Sequence, residues 1–187
     1  MDEIFEFRSA SQWDKWLAEK CSESKGIWIR FFKKASDVSS INTSEALDVA
    51  LCYGWITGQA RPYGERSWLG RFVPRRPKSI WSKVNTKRAE TLIKQGKMKP
   101  AGLRQVEAAK RDGRWDRAYS PPSSAKVPED FIKAVKKNKE AEAFFRTLNR
   151  TNIYSVVFRL ENAKNAESRR MKISQMIKMF EKGEKFH

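Results

Sequence analysis

Hydrophobic positions recur along this chain with two periods, and the change of period divides it. The first part mixes strand and helix signals. Residues 4–7 (IFEF) suit a short edge strand. Ser11 and Asp14 have capping-box spacing, in which a hydroxyl and a carboxylate three positions later satisfy free helix N–H groups. The helix that follows sets Trp13, Trp16 and Leu17 on one side. After Gly26, the run IWIRFFKK is rich in β-branched and aromatic residues with both faces largely apolar, so Ile27–Lys33 reads as a strand near the centre of a sheet. Asn42 and Glu45 mark another helix start. Leu47, Ala50, Leu51 and Gly54 then fall at i, i+3, i+4 and i+7, which predicts a helix over 44–54 packed on that sheet. Gly54 and Gly58 bracket a turn and a short extended piece. Residues 66–73 (RSWLGRFV) predict one more strand, with Leu69, Arg71 and Val73 on one face.

Beyond that point the period is helical. Helix signals cover 80–95, 100–112, 128–137, 140–148, 152–164 and 167–182, and Pro100 and Pro128 suit first-turn positions, where a missing N–H costs nothing. Apolar stripes run through Ala141, Phe144, Phe145 and Leu148, then Ile153, Val156, Val157 and Leu160, then Ile173, Met176, Ile177 and Phe180. The stretch SPPSSAKV, Ser120–Val127, is the best linker candidate. The expected fold is α+β: a small N-terminal sheet packed by helices, followed by a helical C-terminal region. Residues 1–123 would form the α+β domain with its basic segment, and 124–187 the helical region.

Composition supports a folded core. The 187 residues are 40% hydrophobic and include seven Trp and eleven Phe, large rings that are seldom left in water. Two cysteines, Cys21 and Cys52, do not make a disulfide framework. MDEIFEFRSA opens acidic and lacks the apolar stretch of a signal peptide, and no run is long and apolar enough to span a membrane. These readings together point to the cytoplasm.

Charge changes the picture more. The net charge of +17 attracts polyanions, and it is unevenly spread. Residues 1–60 carry a net of −2, residues 61–117 a net of +12 and residues 118–187 a net of +7. A uniform solubility coat would not concentrate the excess in under a third of the chain. The densest stretch is RFVPRRPKSIWSK, Arg71–Lys83. Its two prolines favour extended backbone. Arg71, Arg75, Arg76, Lys78 and Lys83 surround Trp81, and Ser79 or Ser82 is placed to cap the next helix. Guanidinium forks match phosphate or carboxylate oxygens, a helix N-terminus adds N–H groups, and an exposed Trp81 would stack on a base. Arg75, Arg76 and Lys78 are expected to line this anion site, and Arg61 and Arg66 extend the patch. The bland alternative makes Trp81 core and pairs the arginines with acids brought in by the fold.

Enzyme signatures are few. The one histidine is His187, which removes a His-based triad or a His-rich metal site. No CxxC, HExxH, Walker A loop or GxGxxG occurs. No catalytic residue, metal or cofactor is therefore assigned. Cys52 reads as a small buried hydrophobe rather than a nucleophile. Tyr53, Trp55 and Gln59 suit a pocket lining or, equally well, core packing and a turn hydrogen bond.

Several segments together resemble the YdeI/OmpD-associated family, often labelled bacteriocin-protection proteins. They are ALCYGWITGQ (50–59), RFVPRRPKSIWSK (71–83), KPAGL (99–103), VEAAKRDGRWDRAYSPPS (106–123), VPEDF (127–131) and AKNAESRRMKI (163–173). The resemblance implies an α+β N-terminal part, a helical C-terminal part and no particular reaction. The family pattern commonly has Asp after GWI, where this chain has Thr57. Three readings follow. The first is a non-enzymatic protein that binds anionic partners, nucleic acid among them, through the basic patch. The second is an enzyme acting on a small anionic substrate near Tyr53, Trp55 and Gln59. The third is an interaction module whose C-terminal helices dock an acidic protein partner.

Overall fold

In IWIRFF, Ile27, Ile29 and Phe31 are buried while Trp28, Arg30 and Phe32 are half-buried. This alternation organises the sheet in the computed structural model, which describes residues 3–36 and 38–186; His187 lies outside them. The strands are β1 (Ile4–Phe5), β2 (Ile27–Phe32), β3 (Trp55–Pro62) and β4 (Ser67–Pro74), in the order β1-β2-β4-β3. β1 is the parallel edge, as expected of the first residues, and β2 is an inner strand. The other pairs are antiparallel. The short extended piece expected after Gly54 is longer than that: β3 has eight residues and forms a hairpin with β4. Its glycine and mostly small or polar residues hide the strand period, and its partner supplies the order instead. A bulge interrupts the register between Thr57 and Gln59.

Eight α-helices occur among the described residues: α1 (Ala10–Lys20), α2 (Thr43–Cys52), α3 (Lys83–Lys94), α4 (Pro100–Arg111), α5 (Glu129–Val135), α6 (Lys139–Thr147), α7 (Arg150–Glu161) and α8 (Ala166–Glu181). The residues fall into two compact units, Met1–Ser79 with Lys87–Gly113, and Ile80–Thr86 with Arg114–His187.

In the first unit one sheet face meets the helices. Trp13 on α1 sits at the centre, with ring centroids 5.1 Å from Phe7, 6.1 Å from Trp55 and 5.7 Å from Phe72. Its indole N–H donates to the Ala46 carbonyl at 3.0 Å, so the buried ring leaves no polar atom unmet. Burial of each such side chain contributes about 2–3 kcal/mol. Gly70 on β4 is required here, because a Cβ would lie 2.8 Å from the Phe31 ring. α2 starts as expected, with a capping box between Asn42 and Glu45. α1 does not: Ser9 is its N-cap and accepts from the Gln12 N–H, while Ser11 and Asp14 lie inside the helix. Gln12 in turn accepts from the Arg8 N–H at 2.8 Å, an exchange that Ser11 and Asp14 only mimic in spacing. α4 has Pro100 at its first turn, and Gly102 brings it against α2, since a Cβ there would lie 2.3 Å from the Cys52 carbonyl oxygen.

In the second unit the three predicted stripes converge. Phe131, Val135, Ala141, Val156, Leu160, Met176 and Phe180 form one buried cluster, with Phe144, Phe145, Leu148 and Ile177 packed around it. The stripes are thus spent on one another; on α8 only Met171, 58% exposed, leaves a large apolar side chain well in water. Pro128 is the N-cap residue of α5, one position before the expected first turn. Residues 80–86 join this unit through a parallel bridge between Ser82 and Tyr119 and a Trp81–Trp115 contact at 4.9 Å.

Candidate functional site

Antiparallel pairing puts directly opposed residues on the same face. The face of the first unit's sheet away from Trp13 therefore carries Gln59, Arg71 and Trp28 in one row, and Arg61, Leu69 and Arg30 in the next. The Arg61 guanidinium lies 4.5 Å from the Trp28 ring centroid and that of Arg71 lies 5.9 Å from it. Arg30 sits 4.6 Å from Phe32 and 5.1 Å from Tyr63. Cations over aromatic faces at these distances attract the ring quadrupole. Arg30 is also held by Glu6, at 2.8 Å, and donates to Ser67 at 3.0 Å. Leu69, between two arginines, is fully buried, as the apolar stems of long side chains allow.

Towards the end of β4 this face opens into a cleft of about 670 Å³. Ile56, Gly58, Gln59, Arg71 and Val73 line it from the sheet, Pro74–Ser79 supplies further lining through Arg75 and Arg76, and Lys25 comes from the turn before β2. Four lining residues are cationic and none of the described lining residues is acidic. Gly58, at the bulge, lines the cleft, and Thr57 donates its hydroxyl to the Arg71 carbonyl at 2.9 Å. Arg71 reaches Gln59 at 3.4 Å. Nothing in the sequence signals Lys25, which stands about fifty positions before the arginines.

The predicted residues are distributed unevenly. Arg71, Arg75, Arg76 and Gln59 share the cleft. Arg76 is exposed and Arg71 half-buried, but Arg75 is 5% exposed, so it does not present its side chain to solvent as expected. Its backbone N–H donates to the Gly54 carbonyl at 2.9 Å, which holds the segment against the sheet. Pro77 does not extend the chain: Ser79 N–H closes a turn on the Arg76 carbonyl at 3.0 Å, with Lys78 at φ +66°. Proline followed by a left-handed residue is the signature of a type II turn. Lys78 is exposed there and does not line the cleft.

Lys83 belongs to the second unit, where its ammonium donates to the Ser120 hydroxyl at 2.9 Å. Ser120 opens the stretch read as a linker, yet it is buried and bonded to Glu161 through its hydroxyl, at 2.7 Å, and its N–H, at 2.8 Å. Trp81 is 2% exposed, which removes the stacking platform proposed for it. Ser82, not Ser79, caps α3 by accepting from Asn85 N–H at 3.2 Å.

Tyr53 and Trp55 are core residues rather than a pocket. The Tyr53 hydroxyl donates to Asp14 at 3.1 Å, and burial together with that carboxylate pushes its pKa up to about 12. Trp55 donates to the Cys21 carbonyl at 3.2 Å.

A second cleft, of about 760 Å³, escaped the sequence reading. Asp14, Asp48 and Cys52 line it together with Arg88, Lys97 and Lys99. Arg88 binds Asp48 at 2.6 Å and the Ser44 hydroxyl at 2.9 Å, so this cation is neutralised within the protein, and acidic side chains share the lining with the basic ones. Burial, reinforced by Asp14 and Asp48, raises the Cys52 thiol to about 11, which keeps it protonated and a poor nucleophile at neutral pH.

Residues 5–105 match the family model described as "Domain of unknown function (DUF8412)", and residues 124–183 match the one described as "Bacteriocin-protection, YdeI or OmpD-Associated". The chain belongs to the DUF8412 family and carries a YdeI/OmpD-associated C-terminal region. No curated protein and no solved structure matches it. The DUF8412 match contains the sheet from Phe5 onward and all residues lining both clefts, whereas the YdeI/OmpD-associated match contains α5 to α8. Of the segments that carried the resemblance, those at 127–131 and 163–173 lie in the YdeI/OmpD-associated match, and those at 50–59, 71–83 and 99–103 lie in the DUF8412 match.

Proposed function

We propose that this DUF8412 protein binds a phosphate-bearing anion in the cleft lined by Lys25, Arg71, Arg75 and Arg76. The observation that carries this reading is the convergence of four cations, drawn from two separate places in the sequence, on one open cleft whose described lining contains no carboxylate. Arginine forks bind phosphate in two directions at once, and a partly desolvated site strengthens each contact. Arg75, being buried, supplies rigidity, while the exposed Arg76 and Lys25 meet the ligand. No helix among the described residues is long and apolar enough to cross a membrane. Two free thiols suit a reducing compartment, and we place the protein in the cytoplasm.

The test is calorimetric titration with inorganic polyphosphate at low salt. A Lys25→Ala, Arg76→Ala double variant is expected to bind at least tenfold more weakly, while Lys136→Ala, Lys137→Ala, which removes the same charge from the second unit, changes affinity less than twofold. Equal losses in the two variants would reduce the site to diffuse surface charge. Arg75 is left intact because removing a buried side chain would confound binding with stability.

A further inference from the structure

The cleft is one end of a longer feature. Its floor continues along the sheet face that bears Trp28, Arg61, Arg30 and Tyr63, and this face repeats a chemical unit, an aromatic ring with a guanidinium laid against it. The rows at Ser67, Leu69, Arg71 and Val73 span six residue steps of β4, about 20 Å at ~3.4 Å per residue. Tyr63, 40% exposed, stands at one end, and the cleft with Arg76 and Lys25 lies at the other. Trp28 with Arg61 lies between them.

Aromatic rings and arginine planes interleaved with cations along an open sheet are what unstacked bases require. Each base finds a flat partner while the phosphates find positive charge, and single strands alone offer both bases and backbone to a sheet. A duplex hides its base faces. An acidic protein would use the charge and leave the rings without a purpose. The geometry points to single-stranded nucleic acid as the occupant of this face, with bases stacking on Tyr63 and on the Trp28–Arg61 pair and the phosphates running towards the cleft. Arg30, already neutralised by Glu6, positions Tyr63 rather than meeting phosphate. This inference rests on the anion cleft for its phosphate contacts but on Trp28 and Tyr63 for the bases, so the two readings fail separately.

The experiment measures fluorescence anisotropy with a labelled twelve-residue oligothymidylate, an abasic strand of equal length, a twelve-base-pair duplex and polyglutamate as competitor. Base–aromatic stacking contributes roughly fivefold to a hundredfold per base in affinity. The oligothymidylate is therefore expected to bind at least tenfold more tightly than the abasic strand and more tightly than the duplex. Tyr63→Ala, at an exposed hairpin position, and Trp28→Leu, which keeps an apolar contact on β2, should each weaken it about fivefold or more while polyphosphate affinity stays within twofold. Thermal melts identify any variant that has lost its fold, and Tyr63→Phe should restore binding. Equal affinity for the oligothymidylate and the abasic strand, stronger binding to duplex, or equal competition by polyglutamate overturns the inference and leaves the cleft reading standing. Polyphosphate affinity unchanged by Lys25→Ala, Arg76→Ala overturns the cleft reading instead, and the stacking face is then judged on Tyr63→Ala alone.

Discussion

Arg169 holds Asp130 by two parallel bonds, Nε to Oδ2 at 2.7 Å and Nη2 to Oδ1 at 2.8 Å, while its third nitrogen donates to the Leu160 carbonyl at 2.8 Å. One guanidinium thus ties the first turn of α5 to the end of α7 from its seat on α8. The bond from Arg169 holds the Asp130 carboxyl below the usual carboxylate range. A lowered folded-state value means that the pair's contribution is complete above the unfolded carboxylate pKa, about 3.9, and is lost as pH falls through the folded value. Asp130→Asn should remove about 1 kcal/mol at pH 7, a figure kept small because the pair is partly exposed, and should flatten the acid limb of the stability curve. Urea melts from pH 2 to pH 7 measure both.

Gly102→Ala should destabilise the protein by about 3 kcal/mol. The added methyl would meet the Cys52 and Leu51 carbonyl oxygens at 2.3 and 2.7 Å, which are backbone atoms that cannot swing aside. A urea midpoint unchanged from wild type would show that α2 and α4 have room to separate.

Lys78→Gly should stabilise by about 0.5–1 kcal/mol. A lysine at φ +66° bears the left-handed penalty that glycine escapes, offset in part by glycine's greater freedom when unfolded. Because Lys78 does not line the cleft, polyphosphate affinity should hold within twofold.

Alkylation separates the two thiols. With its pKa raised to about 11 and its side chain buried, Cys52 should react with iodoacetamide at pH 7.5 at least a hundredfold more slowly than the half-buried Cys21. Peptide mass spectrometry over time reads the ratio, and unfolding in urea should erase it.

The elements with strong local periodicity were legible in the sequence. Ile27–Phe32, the Asn42 cap and the three C-terminal stripes all stand where their patterns placed them, because period and burial coincide there. β3 was underread because a bulge and a glycine break its alternation. In the site, charge density located Arg71, Arg75 and Arg76, but density is blind to direction. It could not tell that Arg75 turns inward, that Lys83 serves Ser120, or that Trp81 packs on Trp115. Of the rings that do face outward, Trp28 lies in a strand whose alternation was read for the core and Tyr63 in the hairpin turn after β3, and their cationic partners, Arg61 and Arg30, each come from a different segment. Only strand register joins them.

The second unit draws residues 80–86 from one stretch and 114–187 from another. During synthesis, Trp81 leaves the ribosome more than thirty residues ahead of Trp115, the ring it will pack against. For that interval the indole lacks the Trp115 ring, and the early segment must wait in a nascent chain whose later helices do not yet exist. A release factor acting early, or a stalled ribosome between those points, would yield a product in which Trp81 lacks the ring it packs against, an apolar surface of the kind that chaperones and proteases engage.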